Sequence, residues 1–102
     1  MCGIFGFWLN RELNNHDIKL GKSGTQKLNY RGPDNLGYYK DDKKGLFFGH
    51  TRLSIIDLSI KANQPMQKHG LIITFNGEIY NYLEIKKVLK SKGYKFFTDS
   101  DT

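Results

Sequence analysis

The chain commits to a strand at its second residue. Cys2-Gly3-Ile4-Phe5-Gly6-Phe7-Trp8-Leu9 is an apolar and aromatic run without a charge, stopped by Asn10-Arg11. A run of that length and composition reads as a buried strand. Gly3 and Gly6 lie inside it, and glycine in a strand marks a place where another backbone or a ligand comes close. The start of the chain is therefore expected inside the fold, with something packed against Cys2. At 102 residues the chain is the size of one small domain.

Further along, β-forming runs alternate with turn-forming clusters, and two segments carry helical spacing. His16 to Asn29 is a helix candidate with Asp17 as its cap and Ile18, Leu20 and Leu28 as apolar content. Gly21 and Gly24 count against it, each by about 1 kcal/mol relative to alanine. Arg31-Gly32-Pro33-Asp34-Asn35 reads as a loop. Gly37–Lys40 and Gly45–His50 read as a hairpin around Asp41-Asp42-Lys43-Lys44. Arg52–Ile56 is a short strand candidate, Asp57–Gly70 a long surface loop, and Leu71–Phe75 a central strand ended by a turn at Asn76-Gly77. The clearest helix is Tyr82–Lys92. Asn81 stands at its N-cap, with Glu84 at the capping-box spacing. Tyr82, Ile85, Val88 and Leu89 form its apolar stripe, and Gly93 follows as the C′ residue. Tyr94–Thr98 begins another strand, and Trp8, Phe47 and Phe48 are expected in the core.

Composition narrows the function classes. Hydrophobic residues at 38% and charged residues at 25% suit a globular chain. No stretch approaches the roughly 20 apolar residues of a membrane span, and the start lacks the basic and apolar regions of a signal peptide. No membrane association is expected. The net charge of +6 is concentrated late, at Lys86, Lys87, Lys90, Lys92 and Lys95. A solvated helix face explains that run, and no RNA-binding aromatic signature accompanies it, so no nucleic-acid partner is expected. His16, His50 and His69 are scattered and Cys2 is the only cysteine, so no metal site is expected. A lone cysteine forms no internal disulfide, and a working thiol suits a reducing compartment, the cytoplasm. Nothing in the pattern specifies an oligomeric state.

Cys2 offers more than a small side chain. With Gly3 and a small thiol behind it, Met1 is easy for a methionine aminopeptidase to remove. Removal leaves a free α-amine beside the thiol of the same residue. The amine titrates at roughly 7.7–8.0 and a free thiol near about 8.5, so the amine can take the thiol proton. One residue then holds both nucleophile and base.

Four separated blocks carry the functional signal. They are Met1-Cys2-Gly3-Ile4-Phe5-Gly6, Arg31-Gly32-Pro33-Asp34, Gly49-His50-Thr51-Arg52-Leu53-Ser54-Ile55-Ile56-Asp57 and Phe75-Asn76-Gly77-Glu78-Ile79-Tyr80-Asn81. Asn63-Gln64-Pro65-Met66 and Asp99-Ser100-Asp101 extend the set. In this order they resemble the N-terminal glutaminase domain of glutamine-hydrolysing asparagine synthetases, which are class II glutamine amidotransferases. The match runs the length of the chain.

That resemblance implies an α+β fold of the N-terminal nucleophile (Ntn) hydrolase type, an αββα sandwich. Residues 1–102 would form only its front half, cut shortly after Asp101. It implies that Cys2 attacks the side-chain amide of L-glutamine, giving a thioester that water releases as glutamate, with ammonia as the other product. Asn76 and Gly77 would supply the side-chain and main-chain donors to the oxyanion. Arg52 would bind the α-carboxylate of glutamine, a planar fork matched to a carboxylate. Glu78 and Asp101 would face the α-ammonium, with the backbone around Leu53, Ser54, Ile55 and Ile56 lining the pocket. Arg31, Gly32, Pro33 and Asp34 would form a loop that closes over bound glutamine. No cofactor is implied for this segment. ATP and magnesium are expected only in the synthetase domain that follows in the family, where ammonia would amidate aspartate.

The chain departs from the family in its glycine-spotted first helix and in Asn29-Tyr30, where a basic or histidine residue is commoner. Rival readings are another class II amidotransferase, of the glucosamine-phosphate synthase or phosphoribosylamine type, a non-catalytic remnant, and a basic nucleic-acid-binding module. The Arg31-Gly32-Pro33-Asp34 wording favours the asparagine synthetase branch.

Overall fold

The computed structural model describes Met1–Thr102. The elements run β1 (Gly3–Trp8), α1 (Asn15–Gln26), β2 (Asn35–Asp41), β3 (Leu46–Arg52), β4 (Met66–Lys68), β5 (Leu71–Ile73) and α2 (Tyr82–Ser91), with a 3-10 turn at Ile60–Ala62. This is an α+β domain with two helices and antiparallel sheets. β3 lies between β1 and β2 in a three-stranded sheet, and β4 and β5 form a separate pair.

β3 organises both sides of the fold, because successive strand residues point to opposite faces. Its odd-numbered residues meet α1 and the turn that follows it. Phe47 is fully buried there, and the Thr51 hydroxyl donates to the Leu28 carbonyl at 3.1 Å. The two glycines that count against a helix at Gly21 and Gly24 are the packing contacts that seat it. A Cβ on Gly21 would come within 2.7 Å of the Phe47 ring, and one on Gly24 within 2.5 Å of the Phe5 ring. Their propensity cost is offset by burial of those rings, the usual way tertiary packing overrides propensity. From the strand side, a Cβ on Gly49 would lie 1.8 Å from the Thr25 hydroxyl. Gly49→Ala is therefore expected to destabilise the domain by about 1–3 kcal/mol, the usual cost of overpacking. A thermal melt of variant against wild type checks this, and an unchanged Tm would mean that α1 does not rest on that glycine.

The cap of α1 differs from expectation. Asn14 accepts from the Asp17 N–H at 2.9 Å, and Asp17 accepts from the Asn14 N–H at 2.9 Å. Asp17 is thus the third helical residue of a capping box rather than the cap itself. Arg11 also donates to both Asp17 oxygens, at 2.5 and 2.9 Å. The Arg11 hydrogen bond, reinforced by the Asn14 N–H, lowers the Asp17 carboxyl to about 2.

Several other expectations are corrected by pairing. β1 is an edge strand with its outward residues exposed, not a buried strand. Trp8 is 79% exposed and donates its indole N–H to the Lys44 carbonyl at 2.9 Å. Phe48 is half-buried, so only Phe47 of the expected aromatic trio is fully in the core. No strand runs from Arg52 to Ile56. Arg52 ends β3, and the next two N–H groups are taken by side chains, Leu53 by the Cys2 thiol and Ser54 by Asp34. The expected loop over Asp57–Gly70 contains the 3-10 turn and β4, and it buries Ala62, Gln64 and Met66. β4 joins β5 through His69-Gly70, with φ of 51° and 75°, the left-handed pair that a two-residue hairpin loop requires. β5 stops at Ile73 and has one partner, with Leu71 75% exposed, so it is not a central strand. Uninterrupted apolar character made it look central, but only pairing decides position in a sheet. Tyr94–Thr98 forms no strand. Lys68 donates to the Lys95 carbonyl and Lys86 to the Thr98 carbonyl instead.

α2 spans the expected helix, but Asn81 makes no side-chain cap bond and no residue of α2 is buried. Its C-terminus is as expected. Gly93 has φ of 91°, its N–H reaches the Lys90 carbonyl at 3.0 Å, and the Tyr94 N–H reaches the Leu89 carbonyl at 3.1 Å. That pair of bonds is a Schellman motif.

Candidate active site

The register of β1 on β3 determines where the thiol lies. Gly3 pairs with Thr51, and one step outward along the antiparallel pair Cys2 meets the end of β3 at Arg52 and Leu53. The Leu53 N–H donates to the Cys2 Sγ at 3.4 Å, and the Sγ lies 3.8 Å from the Leu53 carbonyl oxygen. In this chain the Cys2 nitrogen is the amide of the Met1–Cys2 peptide. Met1 is exposed at the rim of the same site.

Cys2 opens onto a cavity of about 320 Å³, within the usual size range of small-ligand sites. Every residue expected to act in catalysis or to bind glutamine lines it except Ser54. Arg52, from the even-numbered face of β3, forms the floor with 6% of its surface exposed. It donates to the Ser59 carbonyl and to the Asn63 side chain at 2.9 Å each, and to the Asp57 carbonyl. These acceptors are all neutral. The Asp57 carboxylate makes no ion pair with Arg52 and accepts from the Ser59 N–H at 2.7 Å and the Asp99 N–H at 2.8 Å. Hydrogen bonds from Ser59 and Asp99, with a smaller contribution from the charge of Arg52, lower its carboxyl to about 2. A buried guanidinium without a paired carboxylate is costly, and an anion entering the cavity is the complement it lacks.

Across the cavity, Asn76, Gly77 and Glu78 lie in the irregular segment after β5, with a bend at Gly77. Asp101 accepts from the Ile79 N–H at 2.9 Å, which brings the two acidic residues Glu78 and Asp101 to one end of the cavity. Thiol, guanidinium, amide–glycine pair and carboxylates therefore surround one space, although they come from distant parts of the chain.

Arg31, Gly32, Pro33 and Asp34 are near the site but none of them lines the cavity. Arg31 donates to the Cys2 carbonyl at 3.0 Å, and Asp34 accepts from the Ser54 N–H at 2.7 Å. Pro33 bridges to Arg52, and Gly32 is buried against the Thr51–Arg52 backbone. The segment braces the backbone behind Cys2 and Arg52. Ser54 belongs to this brace, which is why it does not face the cavity.

Asp57 and Gln64 also line the cavity, and sequence reasoning gave them no role. Nor did it give one to His50, which lies beneath the site with no exposed surface. Burial lowers the pKa of His50, with the charge of Arg52 acting in the same direction, so the neutral ring is favoured. The available signal was local: each is a polar residue inside one of the sequence segments that carry the resemblance.

Residues 1–102 match the family described as glutamine amidotransferase domain. The chain is similar to an asparagine synthetase [glutamine-hydrolyzing] of Bacillus subtilis, at 42% identity over 111 residues, covering all of this chain and 16% of that protein. It is similar to an asparagine synthetase [glutamine-hydrolyzing] of Oryza sativa at 36% identity, covering 99% of this chain and 17% of that protein. It is similar as well to the amidase chry2 of Gibberella zeae at 42% identity, covering 99% of this chain and 16% of that protein. The chain thus spans about a sixth of the length of these relatives.

Proposed function

The chain belongs to the glutamine amidotransferase domain family, and from that premise we propose that it hydrolyses L-glutamine to glutamate and ammonia with Cys2 as nucleophile. Removal of Met1 frees the Cys2 amine, which takes the thiol proton. The sulfur attacks the side-chain amide carbon, and the resulting oxyanion receives hydrogen bonds from the Asn76 side chain and the Gly77 N–H. The amine returns its proton to the departing nitrogen, ammonia leaves, and water cleaves the γ-glutamyl thioester. Arg52 holds the α-carboxylate, and Glu78 with Asp101 holds the α-ammonium.

The observation that carries this reading is the meeting of Cys2, Arg52, Asn76-Gly77 and Glu78 with Asp101 around one cavity. Each group suits a different part of glutamine. The αββα sandwich of the Ntn type is the fold proposed for the complete domain, with residues 1–102 contributing its front half. A reducing compartment such as the cytoplasm suits the thiol. The fate of ammonia belongs to the longer protein. ATP-dependent amidation of aspartate is the first proposal, because relatives named asparagine synthetases match throughout this chain. The relative named an amidase matches at the same identity, 42%.

The test is to incubate the intact protein with L-glutamine and to read its N-terminus by mass spectrometry. Equal yields of glutamate and ammonia are expected, from a protein that lacks Met1. Glutamine left unconsumed, or full activity with Met1 retained, would overturn the proposal.

A further inference from the structure

Two buried polar side chains converge on one residue beside the site. The Gln64 carbonyl oxygen accepts the Phe75 N–H at 2.5 Å. On the other side, the His50 Nε2 lies 3.3 Å from the Phe75 carbonyl oxygen. A carbonyl can only accept, so His50 carries its proton on Nε2 and donates. Its Nδ1 is buried and without a partner, so the Phe75 carbonyl is the only hydrogen-bond partner of that ring. His50 is fully buried and Gln64 is 6% exposed. Both side chains are thus held by packing and have little freedom to move.

Phe75 needs such support. β5 ends at Ile73, so no strand ladder fixes the chain that runs into Asn76 and Gly77. The Phe75 carbonyl belongs to the peptide unit that begins Asn76. Fixing its direction fixes the peptide plane that ends at the Asn76 Cα, the atom that bears the Asn76 side chain and starts the next peptide unit, which carries the Gly77 N–H. Gln64 also donates through its Nε2 to the Thr102 hydroxyl at 3.2 Å, which links the same grip to the residue after Asp101.

We propose that His50 and Gln64 are positioning residues, which set the Asn76–Gly77 donors by holding the Phe75 main chain at its carbonyl and its N–H. The proposal rests on the oxyanion role given to Asn76 and Gly77 under the proposed function. Oxyanion donors act only when they lie about 2.7–3.1 Å from where the charge develops. A displacement of roughly 1 Å can cost about 100-fold in rate. Arg52 and Asp101 are each held directly by other groups, the Asp57–Asn63 loop and the Ile79 N–H, and Gln64 reaches only Thr102 beside Asp101.

The experiment compares His50→Phe, His50→Gln and Gln64→Met in the intact protein. The phenylalanine keeps the ring volume without a donor. The glutamine places an N–H close to the Nε2 position. The methionine keeps length and removes both amide groups. kcat is measured per Cys2 thiol, counted by alkylation located with mass spectrometry, beside KM for glutamine and Kd for L-glutamate. Glutamate offers the same α-groups and develops no oxyanion. His50→Phe and Gln64→Met are expected to lower kcat by about 10- to 100-fold, with KM and the glutamate Kd within twofold of wild type. His50→Gln is expected to recover most of the loss. Wild-type kcat in His50→Phe and Gln64→Met would overturn the proposal, as would a loss confined to KM, or a His50→Gln rate no better than that of His50→Phe. Low yield of folded protein with normal kcat per thiol would also overturn it, since it would show a folding role alone. Glutamine hydrolysis that is absent from wild type, or that survives Cys2→Ala, defeats the underlying reading instead and is told apart by those controls.

Discussion

Cys2→Ala is expected to abolish glutamine hydrolysis by the intact protein, with a loss of at least about 10⁴-fold in kcat, since removing a covalent nucleophile can cost about 10⁶-fold. The site offers no substitute. Cys2 is the only cysteine of the chain, and no other nucleophilic side chain shares its position at the mouth of the cavity beside Arg52 and Leu53. Alanine fills nearly the same space, so the strand pairing of Gly3 with Thr51 and the Arg31 bond to the Cys2 carbonyl should persist. Binding of glutamine should survive as well, because Arg52, Glu78 and Asp101 are untouched. Where the intact protein amidates an acceptor, free ammonia should still drive that reaction in the variant. Coupled assays for glutamate with glutamine or ammonia as nitrogen source measure both activities. Glutamine-dependent turnover near the wild-type rate would end the proposal that Cys2 is the nucleophile.

The second large effect concerns binding rather than chemistry. Arg52→Lys is expected to raise KM for glutamine and to lower kcat/KM by roughly 10- to 150-fold, the equivalent of the about 1.5–3 kcal/mol carried by a hydrogen bond to a charged group. The guanidinium already donates to Ser59, Asn63 and Asp57. A planar fork with five donors can hold those acceptors and still present an edge to a carboxylate, whereas an ammonium with three donors and no fork cannot. Lysine keeps the charge, so the comparison isolates geometry. The effect should fall mainly on KM and on the Kd for glutamate, with a smaller change in kcat. An unchanged KM would remove Arg52 from substrate binding and leave it as a brace for the Asp57–Asn63 loop.

The parts of this protein legible in the sequence are those governed by short-range chemistry. The β2–β3 hairpin was visible in its turn residues, and α2 in its periodicity and its Gly93 stop. The candidate site was legible as residue types in order: a cysteine at position 2, an arginine within an apolar run, an Asn-Gly-Glu segment, an acid near the end. What failed were judgements about burial and partnership. Leu71–Ile73 and Trp8 have core composition, yet they lie in a two-stranded pair and on an edge strand. Gly21 and Gly24 look like helix defects until the rings they accommodate are known. The sequence also left unstated that Arg31–Asp34 braces the backbone behind Cys2, which depends on the surface the segment packs against.

By itself the sequence determined the chemical inventory and its order along the chain. It specified a thiol that can gain its own base, a planar cation, amide and carboxylate groups, and the strands and helices that carry them. Only the tertiary structure decided that these groups share one cavity and which polar residues support them. The physical reason lies in β3. Its period of two sends Phe47 and Gly49 into α1 and Thr51 against Leu28 just after it, and leaves His50 and Arg52 on the opposite face, while its pairing with β1 delivers Cys2 to the same end of the strand. Strand register and face are set by which partners a strand finds, and those partners are remote in sequence.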